Sequence, residues 1–257
     1  MVWRFNVLAH VALGVRLQRL AGEDRTGAVP LIMCLWNRPQ RLGEVLRQLS
    51  VQEDAPPIRL ILWNNKRQND ALYLREIEAF GAPGALASIE FYSSRWNVGG
   101  IARFIVAHGI TRRSTPEPFL MLDDDQNVSS HFVRDLLDAF APNTYAGFWA
   151  FVIVGNYWER AEAAPGQQAT YVGTGGSVCD SSIVRERGFF TRLPGRFAFI
   201  EDLWTSAFAA SRGWRVEKVD TPIELTLEDS NQYLAMIDLK QEFWEYLKTE
   251  LAKGRAL

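Results

Sequence analysis

Cysteine and histidine are scarce in this chain, with two of the first and three of the second among 257 residues. Cys34 lies in an apolar run and Cys179 far along the chain. That spacing makes neither a cysteine metal motif nor the dense disulfide framework of a small secreted domain, and a reducing compartment is the simpler expectation. No block of Lys and Arg exceeds two residues and the formal net charge is −2, so the basic field needed for counterion-releasing nucleic-acid binding is missing. Nucleic acid is therefore not an expected partner. Long apolar runs are missing too. Near the N-terminus the stretch free of charge, Phe5 to Val15, is shorter than the roughly 20 residues a membrane span needs. A signal-peptide cleavage site is not evident either, since Arg16 and Arg19 interrupt before Leu20, Ala21 and Gly22.

What is present is apolar and aromatic material, 47% and 12% of the residues, enough to bury the core of one large domain. The expected organisation is an N-terminal helix and linker over residues 1–28, a main domain over 29–230 and a C-terminal helix over 231–257. Two readings of the first helix stand. It packs on the domain or a partner, or it lies on a membrane surface with Trp3, Phe5 and Leu8 as anchors and Arg4, Arg16 and Arg19 facing anionic lipid. The expected location is cytoplasmic, and in the second reading peripheral at the inner membrane face.

After a polar linker from Gly22 to Ala28, short apolar runs alternate with helix-patterned segments. Strands are predicted at Val29–Trp36, Ile58–Trp63, Ser88–Tyr92 and Phe119–Leu122, and helices at Gln40–Leu49, Asp70–Phe80, Ile101–His108 and His131–Phe140. Strict alternation implies right-handed crossovers: an α/β fold with a mainly parallel sheet and helices on both faces. Ligands of such sheets bind beyond the carboxyl ends of the strands. Three strand ends carry polar clusters: Asn37 and Arg38, then Asn64, Asn65 and Lys66, then Asp123, Asp124 and Asp125. Beyond residue 140 the pattern loosens. Tyr145–Gly155 is strand-like, Gly173–Gly176 flexible, Glu201–Ser211 helical, Trp214–Val219 strand-like and Asn231–Lys253 a long amphipathic helix.

The run FLMLDDD, Phe119 to Asp125, places three carboxylates directly after a buried strand. Side chains alternate along an extended chain, so Asp123 and Asp125 share a side and Asp124 takes the other. Two repelling carboxylates favour a hard cation such as Mg²⁺ or Mn²⁺, which leaves coordination positions for water and phosphate oxygens. An EF-hand loop starting at Asp123 fails, because Val128 stands where the turn glycine belongs and Arg134 where the last glutamate belongs. Helix capping uses one acid and not three. A solvated loop is the remaining plain alternative for an isolated motif.

Several motifs accompany this one in order: LIMCLWNRPQRL (31–42), RWNVGGIARF (95–104), FLMLDDD, GTGGS (173–177) and IEDLWTSAFAASRGWRV (200–216). Together they resemble the GT-A fold glycosyltransferases, especially the family-2 type, over about Val29 to Val219. The resemblance implies a Rossmann-like GT-A sheet and a Mn²⁺- or Mg²⁺-dependent enzyme of polysaccharide assembly. It implies a nucleotide-sugar donor, UDP-linked as the first expectation, and a glycan or lipid-linked acceptor. Asp123 and Asp125 are then the metal ligands, Asp202 the base that takes the acceptor proton in an inverting transfer, and Glu201 its neighbour orienting acceptor or sugar. A helix-dipole role explains the Glu201–Asp202 pair equally well if the other motifs are set aside. On the nucleotide-sugar side stand Asn37, Arg38, Asn64, Asn65, Asn97, Gly99, Gly100, Arg103 and Asp124. The two glycines allow close approach at a helix N-terminus and the Arg103 guanidinium suits phosphate, although a solvated helix arginine and a turn asparagine at 97 are the plain readings. Gly175, Gly176 and Trp204 fall on the acceptor and sugar side. Trp149, Trp158 and Tyr171 are further aromatic faces for a pyranose, more simply core, and Trp204 stands out by its place beside the acidic pair.

Two departures qualify the resemblance. Asn64 stands where many family-2 enzymes place an acid that recognises uracil, and His10, His108 and His131 all precede the acidic helix, so no late histidine completes a metal site. LILWNN and DDD also resemble the exostosin-type transferases, which retain anomeric configuration. A catalytically silent carbohydrate- or nucleotide-binding protein on the same scaffold is the alternative from another class.

Overall fold

The computed structural model describes residues 2–112, 115–226, 236–253 and 257. The chain runs through α1 (Val2–Leu13), β1 (Gln18–Gly22), β2 (Val29–Leu35), α2 (Leu42–Ser50), β3 (Ile58–Asn64), α3 (Asp70–Phe80) and β4 (Leu86–Ser93). It continues with α4 (Ala102–Thr111), β5 (Pro118–Asp123), β6 (Gln126–Val128), α5 (Phe132–Asp138), β7 (Thr144–Gly147), β8 (Ala150–Ile153), β9 (Arg160–Glu162) and β10 (Tyr171–Val172). β11 (Ser177–Asp180), α6 (Phe189–Arg192), α7 (Glu201–Ala210), β12 (Arg215–Lys218), β13 (Ile223–Leu225) and α8 (Ile237–Ala252) follow.

Eight strands form one sheet in the order β1-β4-β3-β2-β5-β11-β7-β12. β4, β3, β2 and β5 are mutually parallel, β11 runs back between β5 and β7, and β1 closes one edge antiparallel to β4. The apolar runs of β2, β3 and β5 are continuous because both faces are covered. Alternation sorts their side chains. Leu31, Met33, Leu60, Leu62, Leu120 and Leu122 enter a core closed by α2, α3 and α5, whereas Ile32, Ile61, Trp63, Phe119 and Met121 enter a second core closed by α1, α4 and α7. Helices thus cover both faces of a mixed, mainly parallel sheet.

The crossovers β2-α2-β3-α3-β4 move outward from β2 in one direction. The next connection, through α4, returns to place β5 on the other flank of β2. The order therefore reverses between β2 and β5, where the diverging connections open a crevice at the carboxyl ends. Cys34 faces Asp123 across that junction.

Two segments depart from the sequence pattern. Residues 18–22, within the stretch expected as helix and linker, form the edge strand β1, whose pairing with β4 slips at Arg19/Ala21. Tyr145–Gly155 is two strands: β7 stays in the main sheet, and beyond Phe148 and Trp149 the chain enters β8 of a small sheet ordered β10-β8-β9. The C-terminal helix starts at Ile237; residues 231–235 of the expected helix lie outside the described residues. α1 packs on the domain: Val7 is buried, Trp3 and Leu8 lie against the core, and Trp3 Nε1 donates to the Val98 carbonyl at 2.9 Å. Of the three expected lipid anchors only Phe5 is exposed. Among the described residues no helix is long and apolar enough to cross a membrane.

Candidate active site

The three aspartates at the end of β5 are met by two arginines. Arg103, on the first turn of α4 and 4% exposed, donates through Nη2 to Asp123 Oδ1 and through Nη1 to Glu201 Oε1 at 3.3 Å and Thr174 Oγ1 at 3.4 Å. Arg38, in the turn after β2, donates through Nη1 to Asp124 Oδ1 at 2.7 Å and lies 3.4 Å from Asp125 Oδ2 through Nη2. One arginine therefore bridges the DDD strand end to the N-terminus of α7, and the other holds the remaining two acids.

Glycines permit these approaches. A side chain at Gly100 would collide with the Glu201 carboxylate, and one at Gly175 with the Asp123 carboxylate. Gly99 has φ +77° and sits under the Phe199 ring, a conformation that only glycine adopts at little cost. Gly176 follows Gly175 at φ +76°, but its Cα faces Ile223 and Phe132, away from the carboxylates.

Two carboxyls here are displaced from their ordinary range. Burial, then the nearby Asp123, push Asp125 up to about 7, with Arg38 opposing; burial, then Asp202, push Glu201 up to about 7, with Arg103 opposing. Asp124 is also raised by burial despite its arginine. Burial works against the charge of Arg103, and the surrounding anions, Asp123 foremost, outweigh it and keep the guanidinium charged.

Asp202 occupies the next position on α7 and turns to a different partner. Its Oδ2 accepts from the Tyr171 hydroxyl at 2.6 Å and its Oδ1 from the Leu203 backbone N–H at 2.7 Å. Burial, then the Asp202 charge, hold the Tyr171 phenol far above its usual pKa, so it stays a donor.

Several residues assigned to the site by sequence have other work. Asn64 is fully buried; its amide donates to the Lys66 carbonyl and to Asp70 Oδ1 at 2.9 and 2.7 Å, and its oxygen accepts from the Lys66 N–H at 2.9 Å. With these bonds made inside the turn, its amide is not presented to a base edge. Asn65 accepts from Trp63 Nε1 and the Val98 N–H, and donates to the Gly99 carbonyl, which fixes the glycine turn. Asn97 accepts from the Gly99 N–H at 2.9 Å, the turn role open to it from the sequence. Trp204 is 1% exposed, donates to the Phe189 carbonyl and packs on Phe208, so its faces are core. Asn37 stays at the crevice rim, exposed, where its oxygen accepts from Lys66 Nζ at 2.7 Å.

Two residues without a sequence signal of their own also belong here: Thr174, which touches Arg103, and Gln126, whose buried oxygen accepts from the Asp123 N–H at 3.2 Å. Their proximity to GTGGS and DDD was the available signal.

No family model and no curated protein sequence matches the chain. Solved structures do match. S. aureus TarS aligns with a TM-score of 0.55 at 12% identity, over 87% of this chain and 39% of TarS. TarS 1–349 in complex with UDP-GlcNAc aligns at 0.54 and 13% identity, over 79% and 60%. The Pyrobaculum calidifontis mannosyltransferase PcManGT, in complex with GDP-Man and Mn²⁺, aligns at 0.53 and 14% identity, over 96% of this chain and 75% of that one. The fold is GT-A-like. At these identities the likeness is one of fold, and the chain spans less than half the length of TarS.

Proposed function

We propose that the chain is a family-2-like glycosyltransferase that moves a sugar from a nucleoside-diphosphate donor, UDP-linked in the first instance, to a hydroxyl of a glycan or lipid-linked glycan, with inversion. The observation that carries this reading is the Arg103 bridge from Asp123 to Glu201, which puts Asp202, the next residue along α7, beside the strand end that bears the acids.

A divalent cation fits that strand end. Asp125 is held protonated up to about 7 by burial and by Asp123, so the pair carries repulsion that a cation removes. Among the described residues no group of three or more His, Cys, Asp and Glu gathers to hold a metal. Asp123 and Asp125 would hold Mg²⁺ or Mn²⁺ with an open shell completed by water and diphosphate oxygens, as hard cations accept. When bound, such an ion is a Lewis acid for the departing diphosphate.

The chain's own residues supply the rest. Arg103, fixed by Asp123 and Glu201, offers a charged donor where negative charge grows on the leaving group. Arg38 and the Gly99–Gly100 turn at the start of α4 line the diphosphate side of the crevice. Asp202 takes the proton of the acceptor hydroxyl as that oxygen attacks the anomeric carbon, and Tyr171 holds its carboxylate in place. The test is Asp202→Asn. Sugar transfer falls by about 10²–10⁴ while nucleotide binding is unchanged. Transfer retained by that variant removes Asp202 as the base, and a wild-type chain that binds nucleotide without transferring sugar is a binding protein on this scaffold.

A further inference from the structure

α1 packs one face on the domain and leaves the other open. Val7 is buried, Trp3 and Val11 lie against the core, and His10 shares a 3.0 Å hydrogen bond with the Tyr92 hydroxyl. At 3.6 residues per turn the opposite face carries Val2, Phe5, Ala9, Ala12 and Leu13, with no polar side chain among them. Val2 is 63%, Phe5 71% and Leu13 87% exposed. A helix that lies on its own domain under water presents a polar outer face, whereas this one is apolar on both. Another exposed ring stands beside its first turn. The Trp3 bond to the Val98 carbonyl brings that turn to residues 95–97, where Trp96 is 46% exposed and the Arg95 guanidinium carbon lies 5.5 Å from its ring centroid.

The charge around this face has one sign. Neither residues 1–22 nor residues 91–116 contain an Asp or Glu, and Arg4, Arg16 and Arg95 are exposed there. Arg4 donates to the Thr191 carbonyl and Arg95 lies on the Trp96 ring, neutral partners that leave both charges in place. Arg19 is neutralised by Asp24, and Glu250, which shares a hollow with Arg4, is paired with Lys253 at 2.7 Å. An apolar strip edged with arginine fits the boundary of an anionic bilayer, where apolar side chains enter the acyl edge, tryptophan sits at headgroup level and guanidinium meets phosphate. A second copy of the chain would set like charge against like charge. A helix of 12 residues, about 18 Å long and 10 Å wide, also offers well under the roughly 800 Å² per partner of a stable interface. The same turn reaches the site: Val98 precedes Gly99, whose carbonyl accepts from Asn65, and Gly100, which makes room for Glu201. The surface on which α1 rests therefore lies beside the mouth of the crevice.

We propose that the outer face of α1, with Arg16, Arg95 and Trp96 at its edge, docks on an anionic lipid surface and holds the mouth of the crevice at the bilayer. The docking stands apart from the transferase reading; combined with that reading, it favours the lipid-linked class of acceptor. The test is co-sedimentation of the full chain with vesicles of phosphatidylcholine alone and of phosphatidylcholine and phosphatidylglycerol in equal parts, at low and high salt. The anionic vesicles bind the chain at least about tenfold more tightly, and salt reduces that preference. Phe5→Asp combined with Leu13→Asp weakens binding by about tenfold or more, and Arg16→Gln and Arg95→Gln by about fivefold each. An unchanged Tm in these surface variants shows that the fold survives. Binding to neither vesicle, equal binding to both, or anionic binding that the Phe5→Asp, Leu13→Asp pair leaves intact overturns the inference. A concentration-dependent dimer dissociated by the same pair also overturns it, with a second copy as the occupant. Sugar transfer to a soluble glycan by a chain that binds no vesicle sinks the docking alone, and vesicle binding without any transfer sinks the transferase reading alone.

Discussion

At the carboxyl edge of β2 and β5 charges meet charges, and on the small β10-β8-β9 sheet charges meet rings. The first region holds Asp123, Asp124, Asp125 and Glu201 against Arg103 and Arg38, with side chains 5–35% exposed and contacts among the acids and guanidinia fixed by glycines. The second holds Arg160 and Lys240 against Phe151, Tyr157, Trp158 and Tyr171, with Asp202 as the neighbouring acid. A charge network locks geometry because removing one member strands the others. A cation held on ring faces loses less when it is removed, because the rings left behind carry no charge that needs a partner. α7 joins the two: Glu201 belongs to the first and Asp202 to the second.

The sharpest way to break this contrast is to delete one cation from each region. Arg103→Met leaves Asp123 and Glu201 without their shared partner and costs about 3–5 kcal/mol in urea unfolding. Arg160→Met costs less, about 1–2 kcal/mol, the scale of cation–π contacts made by a partly buried guanidinium. Equal losses would mean that the pocket is as structural as the bridge. The two tryptophans sharpen the same point: Trp204→Ala costs about 3–5 kcal/mol by emptying core, whereas Trp158→Ala leaves unfolding within about 1 kcal/mol of wild type. A weaker acceptor affinity for the conservative change Trp204→Phe, with stability intact, would return that residue to the sugar site.

Smaller effects probe the turns and the pH response. Asn64→Ala removes the bonds to Asp70 Oδ1 and to the Lys66 N–H and carbonyl and costs about 1–3 kcal/mol, without changing which nucleotide stabilises the protein. A switch in nucleotide preference would restore Asn64 as a base reader. Glu201 carries its proton in the native state up to about 7, where an unfolded glutamate near 4.5 has lost it. The native state therefore binds more protons between those values, and metal-free stability falls as pH rises through that window. Glu201→Gln flattens the decline and raises Tm at pH 8 by about 3 °C; a parallel, undisplaced pH profile contradicts the assigned shift.

Periodicity made the first half of the fold legible. Residues 70–80 form α3 with the bounds the pattern predicts, and β2, β3 and β5 fall within a residue or two of theirs. β1 was hidden because an edge strand of five residues, with Gln18 and Arg19 exposed, has little apolar alternation to show. The small sheet was hidden because β8, β9 and β10 are four, three and two residues long and their order depends on contacts remote in sequence. In the site, the acids were visible as charge placed where a strand should end in the core, but their arginine partners were not, since pairing Arg38 with Asp124 spans 86 residues. Trp204 was misplaced by proximity. Two residues along a helix turn about 200°, so the neighbour of a base faces the opposite side. Lys240 had no local signal; only the fold brings it into the field of Asp202.

The most direct test of the central claim is thermal stability of the intact chain with UDP, GDP, dTDP, CDP and ADP, each with and without Mn²⁺. One nucleotide, UDP first, is expected to raise Tm only with the metal, by an amount that grows with concentration, and Asp125→Asn to abolish the effect. No stabilisation by any nucleotide in either metal condition would contradict it, leaving the Asp123–Asp125 strand end as a charge network closed by its own arginines.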